Sequence, residues 1–114
     1  MVNDSVLLSD TFSALADPTR RRILEMLMTG ERVVSDISAA FKVSAPAISK
    51  HLRVLERASL LRREKRGREH FLSLNAKPMK EASAWMAEYQ VFWENNLDSL
   101  AAFLEESPEK ETQQ

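Results

Sequence analysis

The sequence predicts a mainly α-helical chain with one small β-hairpin (α+β), and three observations carry that expectation. Several stretches place apolar residues at the three- and four-residue spacing of a helix face. One short stretch alternates side chains with the period of a strand. Two Gly and four Pro in 114 residues leave little chain for loops. This length predicts one domain, large enough to bury roughly two thirds of its unfolded surface. A hydrophobic content of 44% and a charged content of 29% are ordinary for a soluble globular protein. The absence of cysteine excludes disulfides, thiolate metal sites and thiol redox sensing. No apolar run approaches the ~20 residues of a membrane span. The opening MVNDSVLLSD has neither the basic start nor the long apolar core of a signal peptide. No membrane insertion is expected, and the expected location is the cytoplasm.

Taken in order, residues 1–9 read as a frayed arm. A short helix is expected over Asp10–Ala16, with Phe12 and Leu15 on one side. Asp17-Pro18 ends it, because the residue before a proline disfavours the α region. The same pair opens a second helix, Pro18–Met28, with Asp17 as N-cap and Pro18 at the first position. Ile23, Leu24, Leu27 and Met28 are its expected inward face. Arg20, Arg21 and Arg22 crowd its first turn, where the helix dipole disfavours cations. They are either solvated or paired with acidic neighbours, or they contact DNA phosphates or a partner subunit. Gly30 is expected at the left-handed position after this helix. A third helix follows from about Val34 or Ser35 to Phe41, with Ile37, Ala40 and Phe41 apolar.

Lys42-Val43-Ser44 is a turn leading into SAPAISKHLRVLERASLL (44–61), the stretch around which the chain is organised. Ser44 is an N-cap, Pro46 lies in the first turn, and Ile48, Leu52 and Leu55 form one apolar face. The opposite face carries Ala45, Ser49, Lys50, Arg53 and Arg57. Its small front permits close approach to a groove floor, and its cations reach phosphates or base edges. Two short helices joined by a tight turn make a helix-turn-helix.

Two strands, about Leu61–Lys65 and Glu69–Leu74, then form a hairpin around Gly67, where a positive φ is needed. Arg62, Arg63, Lys65, Arg66 and Arg68 lie in and around its tip. Like charges crowded there gain nothing for folding and make sense against a phosphate backbone. Net charge follows this layout. The whole chain is −1, yet residues 42–70 hold nine Lys and Arg against three Asp and Glu, or +6. Residues 76–114 hold three against eight, or −5. A helix-turn-helix followed by a basic hairpin is a winged helix-turn-helix.

The last helix is expected from about Pro78 or Met79 to Glu105, roughly 26 residues or about 39 Å. Met79, Ala82, Met86, Tyr89, Trp93, Leu97, Leu100 and Leu104 form one stripe, with Trp85, Phe92, Asn96 and Phe103 beside it. So long an apolar helix suggests two partners, its own domain and another copy of itself. Met79, Trp85, Met86, Tyr89, Trp93, Leu97 and Leu100 are the expected dimerisation residues. Residues 1–106 read as a single winged helix-turn-helix domain that includes this helix, and residues 107–114 as a disordered polar tail.

With these residues in place, the chain resembles the ArsR-type (ArsR/SmtB-like) winged-helix transcriptional regulators over roughly Phe12 to Leu104. The resemblance rests on LADPTRRRIL (15–24), SAPAISKHLRVLERASLL (44–61) and FLSLN (71–75). The pattern AWMAEYQVFWENNLDSL is similar to that of the metal-independent branch. The resemblance implies a homodimeric repressor that binds an imperfect palindrome near a promoter and is released by a small-molecule or protein signal. It places Ser44, Ala45, Pro46, Ser49, Lys50 and Arg53 in the major groove, and Arg66 and Arg68 on the wing. Three departures stand out. Ala45 replaces the Gln of many relatives, removing one polar base reader. Ser59 replaces a frequent Gly, which implies a strained C-cap. The third-helix segment VVSDIS has no Cys and the last helix no His, so neither metal nor cofactor is expected. His51 is expected to be a buried or capping residue or a phosphate contact. A protein-interaction module on the same scaffold, pairing with a signal or membrane protein and binding no DNA, is the alternative. No nucleophile–base pair, Gly-rich phosphate loop or metal-ligand spacing suggests an enzyme.

Overall fold

The computed structural model describes the backbone of residues 4–112 and the side chains of residues 7–105. The elements are α1 (Asp4–Leu15), α2 (Pro18–Leu27), β1 (Arg32–Val33), α3 (Val34–Ala40), α4 (Ala45–Arg57), β2 (Leu61–Arg66), β3 (Glu69–Leu74) and α5 (Lys77–Thr112). They fall into two compact units. Among the described residues, 4–82 form the first, and 83–112, the distal part of α5, form the second.

The first unit is built on one apolar cluster. Ala14 of α1, Ile23, Leu24 and Leu27 of α2, and Ile37 of α3 meet Ile48, Leu52 and Leu55 of α4. Ala58, Leu60, Leu61 and Leu72 close the cluster from the α4 exit and the sheet. The helix spacing read from the sequence thus becomes a shared core, with Ile48, Leu52 and Leu55 wholly inaccessible to solvent. Ala82 of α5 is also buried in this unit. The sheet is antiparallel in the order β1-β3-β2. Leu61 faces Leu74 and Arg66 faces Glu69 across the hairpin, while Arg32 faces Leu72 and Val33 faces Phe71 on the other side. Gly67, at φ 62°, is the first of two loop residues and supplies the positive φ expected there.

Several expectations need correction. β1 is absent from the sequence reading, because two residues are too few to show a period. α1 starts at Asp4, well before Asp10, since nothing between those residues breaks a helix; residues 1–3 lie outside the described residues. Thr11 and Ala14 are buried on α1, whereas Phe12 and Leu15 are half-buried. Thr11 is tolerated inside because its hydroxyl donates to the Leu7 carbonyl at 3.0 Å. Met28, the C-cap of α2, keeps helical backbone but is 72% exposed, because no neighbouring element covers that end of the helix. Ala40 is exposed, leaving Ile37 as the buried residue of α3. Gly30 has φ 135°, positive but far from the left-handed helical value. α5 runs past Glu105 to Thr112. The tail expected to be disordered from Ser107 therefore lies within that helix as far as Thr112, and residues 113–114 lie outside the described residues.

The arginine triplet has a local explanation. Asp17 caps α2 by accepting the Arg20 N–H at 3.1 Å. Arg20 then reaches back to the end of α1, donating to the carbonyls of Ala14 at 2.7 Å and Ser13 at 2.9 Å. Arg21 donates to the Leu15 carbonyl at 2.7 Å. The start of α2 is an unfavourable place for cations, but the carbonyls ending α1 are a favourable one. Arg22 lies over the Phe41 ring at 5.9 Å.

The exit of α4 is a Schellman motif. The Leu60 N–H donates to the Leu55 carbonyl at 3.0 Å and the Ser59 N–H to the Glu56 carbonyl at 2.9 Å. This geometry requires a left-handed residue, and Ser59 adopts φ 61°, the sole positive-φ residue other than glycine among those described. The strain expected at Ser59 is therefore present.

Ser59→Gly is expected to stabilise the chain by about 1 kcal/mol, because the left-handed penalty of a Cβ disappears. Urea denaturation checks this as a higher midpoint at unchanged slope. Partial burial pushes the Asp17 carboxyl up. The Arg20 N–H, the charge of His51, the Thr19 N–H and the Arg20 charge outweigh it and hold the group below its ordinary value of 3.8. Its contribution to stability is full above 3.8 and is lost as pH falls through the lower folded value. Wild type is therefore expected to lose more stability between pH 5 and pH 2 than Asp17→Asn, which does not titrate. Asp17→Ala is expected to cost about 1 kcal/mol at pH 7.

Candidate nucleic-acid interface

α4 is held from behind and bare in front. Ser44 has extended backbone and accepts the Ala47 N–H at 3.3 Å, so the cap read from the sequence is made. Pro46 sits in the first turn, where no intrahelical N–H bond is lost. Ser44, Ala45, Pro46, Ser49, Lys50, Arg53 and Arg57 are all exposed. Lys50, Arg53 and Arg57 make no hydrogen bond or ion pair among the described residues. One helix thus presents a small front, a hydroxyl and three unneutralised cations along a rigid support.

The rear of α4 is tied by polar contacts as well as apolar ones. His51, half-buried, has Nδ1 3.3 Å from an Arg20 terminal nitrogen and 3.8 Å from an Asp17 carboxylate oxygen. The imidazole therefore serves as a structural anchor toward the α1–α2 junction and does not face outward with Lys50. At the far end, Arg63 of β2 donates to one Glu56 carboxylate oxygen at 2.6 and 2.9 Å. That pair joins the last turn of α4 to the hairpin. Asn75 closes the other side. It donates to the Ser59 carbonyl at 2.8 Å and accepts from Arg62 at 3.2 Å and from the Lys77 N–H at 3.4 Å.

The five hairpin cations divide accordingly. Arg62 and Arg63 are engaged at its base. Arg66 is engaged by carboxylates, donating to both oxygens of Glu31 at 2.9 Å and to Glu64 at 3.1 Å. Lys65 and Arg68 are exposed and make no hydrogen bond or ion pair among the described residues. Arg68 follows Gly67 in the two-residue loop, at the extreme of the hairpin. The structure thus brings Ser44, Ala45, Pro46, Ser49, Lys50 and Arg53 onto one helix surface and places Arg68 at the wing tip. Arg66 is set apart by its partners. No spacing foretells the Arg66–Glu31 and Arg63–Glu56 pairs, because strand pairing and helix packing decide those neighbours.

The residues expected to mediate dimerisation lie on α5. Met79, Trp85, Met86, Tyr89, Trp93, Leu97 and Leu100 are all exposed in the single chain. Trp85 stacks on Tyr89 at 4.9 Å, and Tyr89 meets Trp93 at 6.0 Å. Asn96 donates back to the Phe92 carbonyl at 2.8 Å. No helix among the described residues is long and apolar enough to cross a membrane.

Comparison with known proteins agrees with this geometry. The family described as "Bacterial regulatory protein, arsR family" matches residues 17–63, from the Asp17 cap into the first strand of the hairpin. The transcriptional repressor SdpR of Bacillus subtilis (strain 168) is 33% identical over 90 residues, which is 79% of this chain and 100% of that one. The crystal structure of an ArsR family transcriptional regulator is similar with a TM-score of 0.76 at 36% identity, covering 82% of this chain and 97% of that one. An ArsR-like transcriptional regulator from Rhodococcus sp. RHA1 is similar with a TM-score of 0.73 at 27% identity, covering 87% and 93%. These matches do not favour a scaffold that binds no DNA. The chain belongs to the arsR family of bacterial regulatory proteins, and it is a DNA-binding transcriptional regulator of winged helix-turn-helix fold.

Proposed function

We propose that the chain is a homodimeric, cytoplasmic repressor that binds a palindromic operator near a promoter. The observation that carries this reading is the bare face of α4, where Lys50, Arg53 and Arg57 stand unneutralised beside Ala45 and Ser49. Cations left without carboxylate partners repel one another in the free chain and gain only when an anion arrives. A small front lets the helix backbone approach the floor of a major groove.

In this reading Ser44, Ala45 and Pro46 seat the helix N-terminus against the duplex. Ser49 and Arg53 read base edges, and Lys50 and Arg68 neutralise phosphates. Arg66, the other wing residue expected at the DNA, is engaged by Glu31 and Glu64 in the free chain. The dimer forms through α5. Trp85, Tyr89, Trp93, Leu97 and Leu100 offer an apolar face that one chain leaves in water. A two-fold pair of chains then holds two α4 helices against successive major grooves, roughly 34–36 Å apart. Release follows a small-molecule or protein signal whose identity the family leaves open.

Selection of bound duplexes from random DNA is expected to return a palindrome with half-sites about one helical turn apart. Recovery of unrelated sequences overturns the reading. Affinity for that duplex is expected to fall with salt at a slope of about −0.9 per phosphate contacted. Arg53→Ala is expected to weaken specific binding more than non-specific binding, by roughly 1–3 kcal/mol of lost discrimination. An equal loss on both makes Arg53 a phosphate anchor. Leu97→Glu is expected to shift the chain from dimer to monomer in sedimentation equilibrium, with its first unit still folded.

A further inference from the structure

Arg66 is surrounded in a way that none of the other wing cations is. Side chains alternate across a strand, so Glu64 and Arg66 share one face of β2. Phe71 lies opposite Glu64 on β3, and Val33 lies opposite Phe71 on β1. Arg66 therefore extends over the central strand, from the outer strand to the residue that precedes β1. Its guanidinium carbon sits 4.4 Å from the centre of the Phe71 ring. Two of its nitrogens each donate at 2.9 Å to a different oxygen of Glu31, the bidentate geometry that Arg and carboxylate form best. One of those nitrogens also donates to Glu64 at 3.1 Å. The effects are mutual: Arg66 holds the Glu64 carboxyl below its ordinary range, and the two carboxylates make the guanidinium harder to deprotonate.

Two carboxylates around one guanidinium give the cluster a net charge of −1, so Arg66 projects no positive field toward a polyanion. We infer that Arg66 is a positioning residue of the wing. With Glu31 it forms a latch that fastens the hairpin tip to the turn before β1, and Lys65 and Arg68 make the wing's phosphate contacts. This inference rests on the DNA-binding reading of the hairpin. It departs from the role that the sequence suggested for Arg66, and it makes an acidic residue, Glu31, necessary for binding an acidic polymer.

The sign of one substitution tests it. By charge alone, Glu31→Gln removes an anion near DNA and tightens binding. If the latch aims the wing, the same change weakens binding to the selected duplex by roughly two- to fivefold, the range expected for loss of an exposed pair. The double variant Glu31→Gln/Arg66→Gln keeps the cluster at −1. It is expected to bind no more weakly than the worse single variant, with the wild-type salt slope. Arg68→Ala is expected to make that slope shallower by about 0.9. Both substituted side chains of the latch are exposed, and a thermal melt of each variant confirms that it folds. Tighter or unchanged binding by Glu31→Gln, or a slope shallower by about 0.9 in the double variant, overturns the latch. If the wild-type chain itself binds no duplex in a salt-dependent manner, the DNA-binding reading falls and the latch with it.

Discussion

The fold depends on one constraint: a helix must be held rigidly from one side while its other side keeps unneutralised charge. α4 meets it with a dry apolar seat. Ile48, Leu52 and Leu55 are fully buried among residues from α2, α3 and the sheet. Burial of each such side chain contributes about 2 kcal/mol, and none of that stabilisation draws on the exposed face. The helix ends are fixed separately, by the Ser44 cap and by the Schellman turn at Ser59. Among the described residues Lys50, Arg53 and Arg57 then enter no ion pair, and Arg57, in the last turn of α4, aids folding only through the helix dipole. A chain that used those cations in internal ion pairs would be no worse folded, but it would have less charge to offer a polyanion.

The same constraint explains why so many arginines lie close together without the charge being uniform. Arg20 and Arg21 are spent on the carbonyls ending α1, Arg63 on Glu56, and Arg66 on Glu31. Each lies where an element must be fixed to its neighbour: α1 to α2, α4 to the hairpin, and the hairpin to the turn before β1. Arginine suits these junctions because its planar fork holds several N–H donors in a fixed geometry, whereas lysine offers a compact point charge on a flexible stem. The cations left over, Lys50, Arg53 and Arg57 on α4 with Lys65 and Arg68 on the wing, are the ones to which no such junction falls.

Much of what is local was legible in the sequence. Ser44 and Asp17 as caps, Pro18 and Pro46 in first turns, Gly67 in the hairpin loop and the apolar face of α4 depend on a few consecutive residues. The same holds for the strain at Ser59, which follows from a helix ending where many relatives have glycine. Other features are set by residues far along the chain and could not be read. β1 exists only because Arg32 and Val33 find β3 to pair with. Met28 continues the apolar spacing, but no neighbouring element covers that end of α2, and coverage is not written in the spacing. The division of the arginines into engaged and bare depends on Glu31 meeting Arg66 and on Glu56 meeting Arg63. Composition counts each of them as the same unit of charge.

The distal part of α5 presents the opposite situation to α4. Exposed aromatic residues gain a little from each other within the helix, as Trp85 and Tyr89 do by stacking. Such pairs contribute only tenths of a kcal/mol in an isolated helix, and most helical stability in proteins comes from packing an apolar face. On a 100° per residue projection, Trp85, Met86, Tyr89, Phe92, Trp93, Leu97, Leu100, Phe103 and Leu104 occupy one continuous arc, while Glu88, Glu94, Asp98 and Glu105 lie outside it. The acids thus leave the apolar face clear and stand where a second helix would not bury them. Between Trp85 and Glu105, Asn96 is the one polar residue inside the arc, and its bond to the Phe92 carbonyl already satisfies one of its donors. A face so consistently cleared of charge is organised for burial. In a two-fold assembly the same arc on a second chain supplies matching apolar area without bringing the acidic sides together.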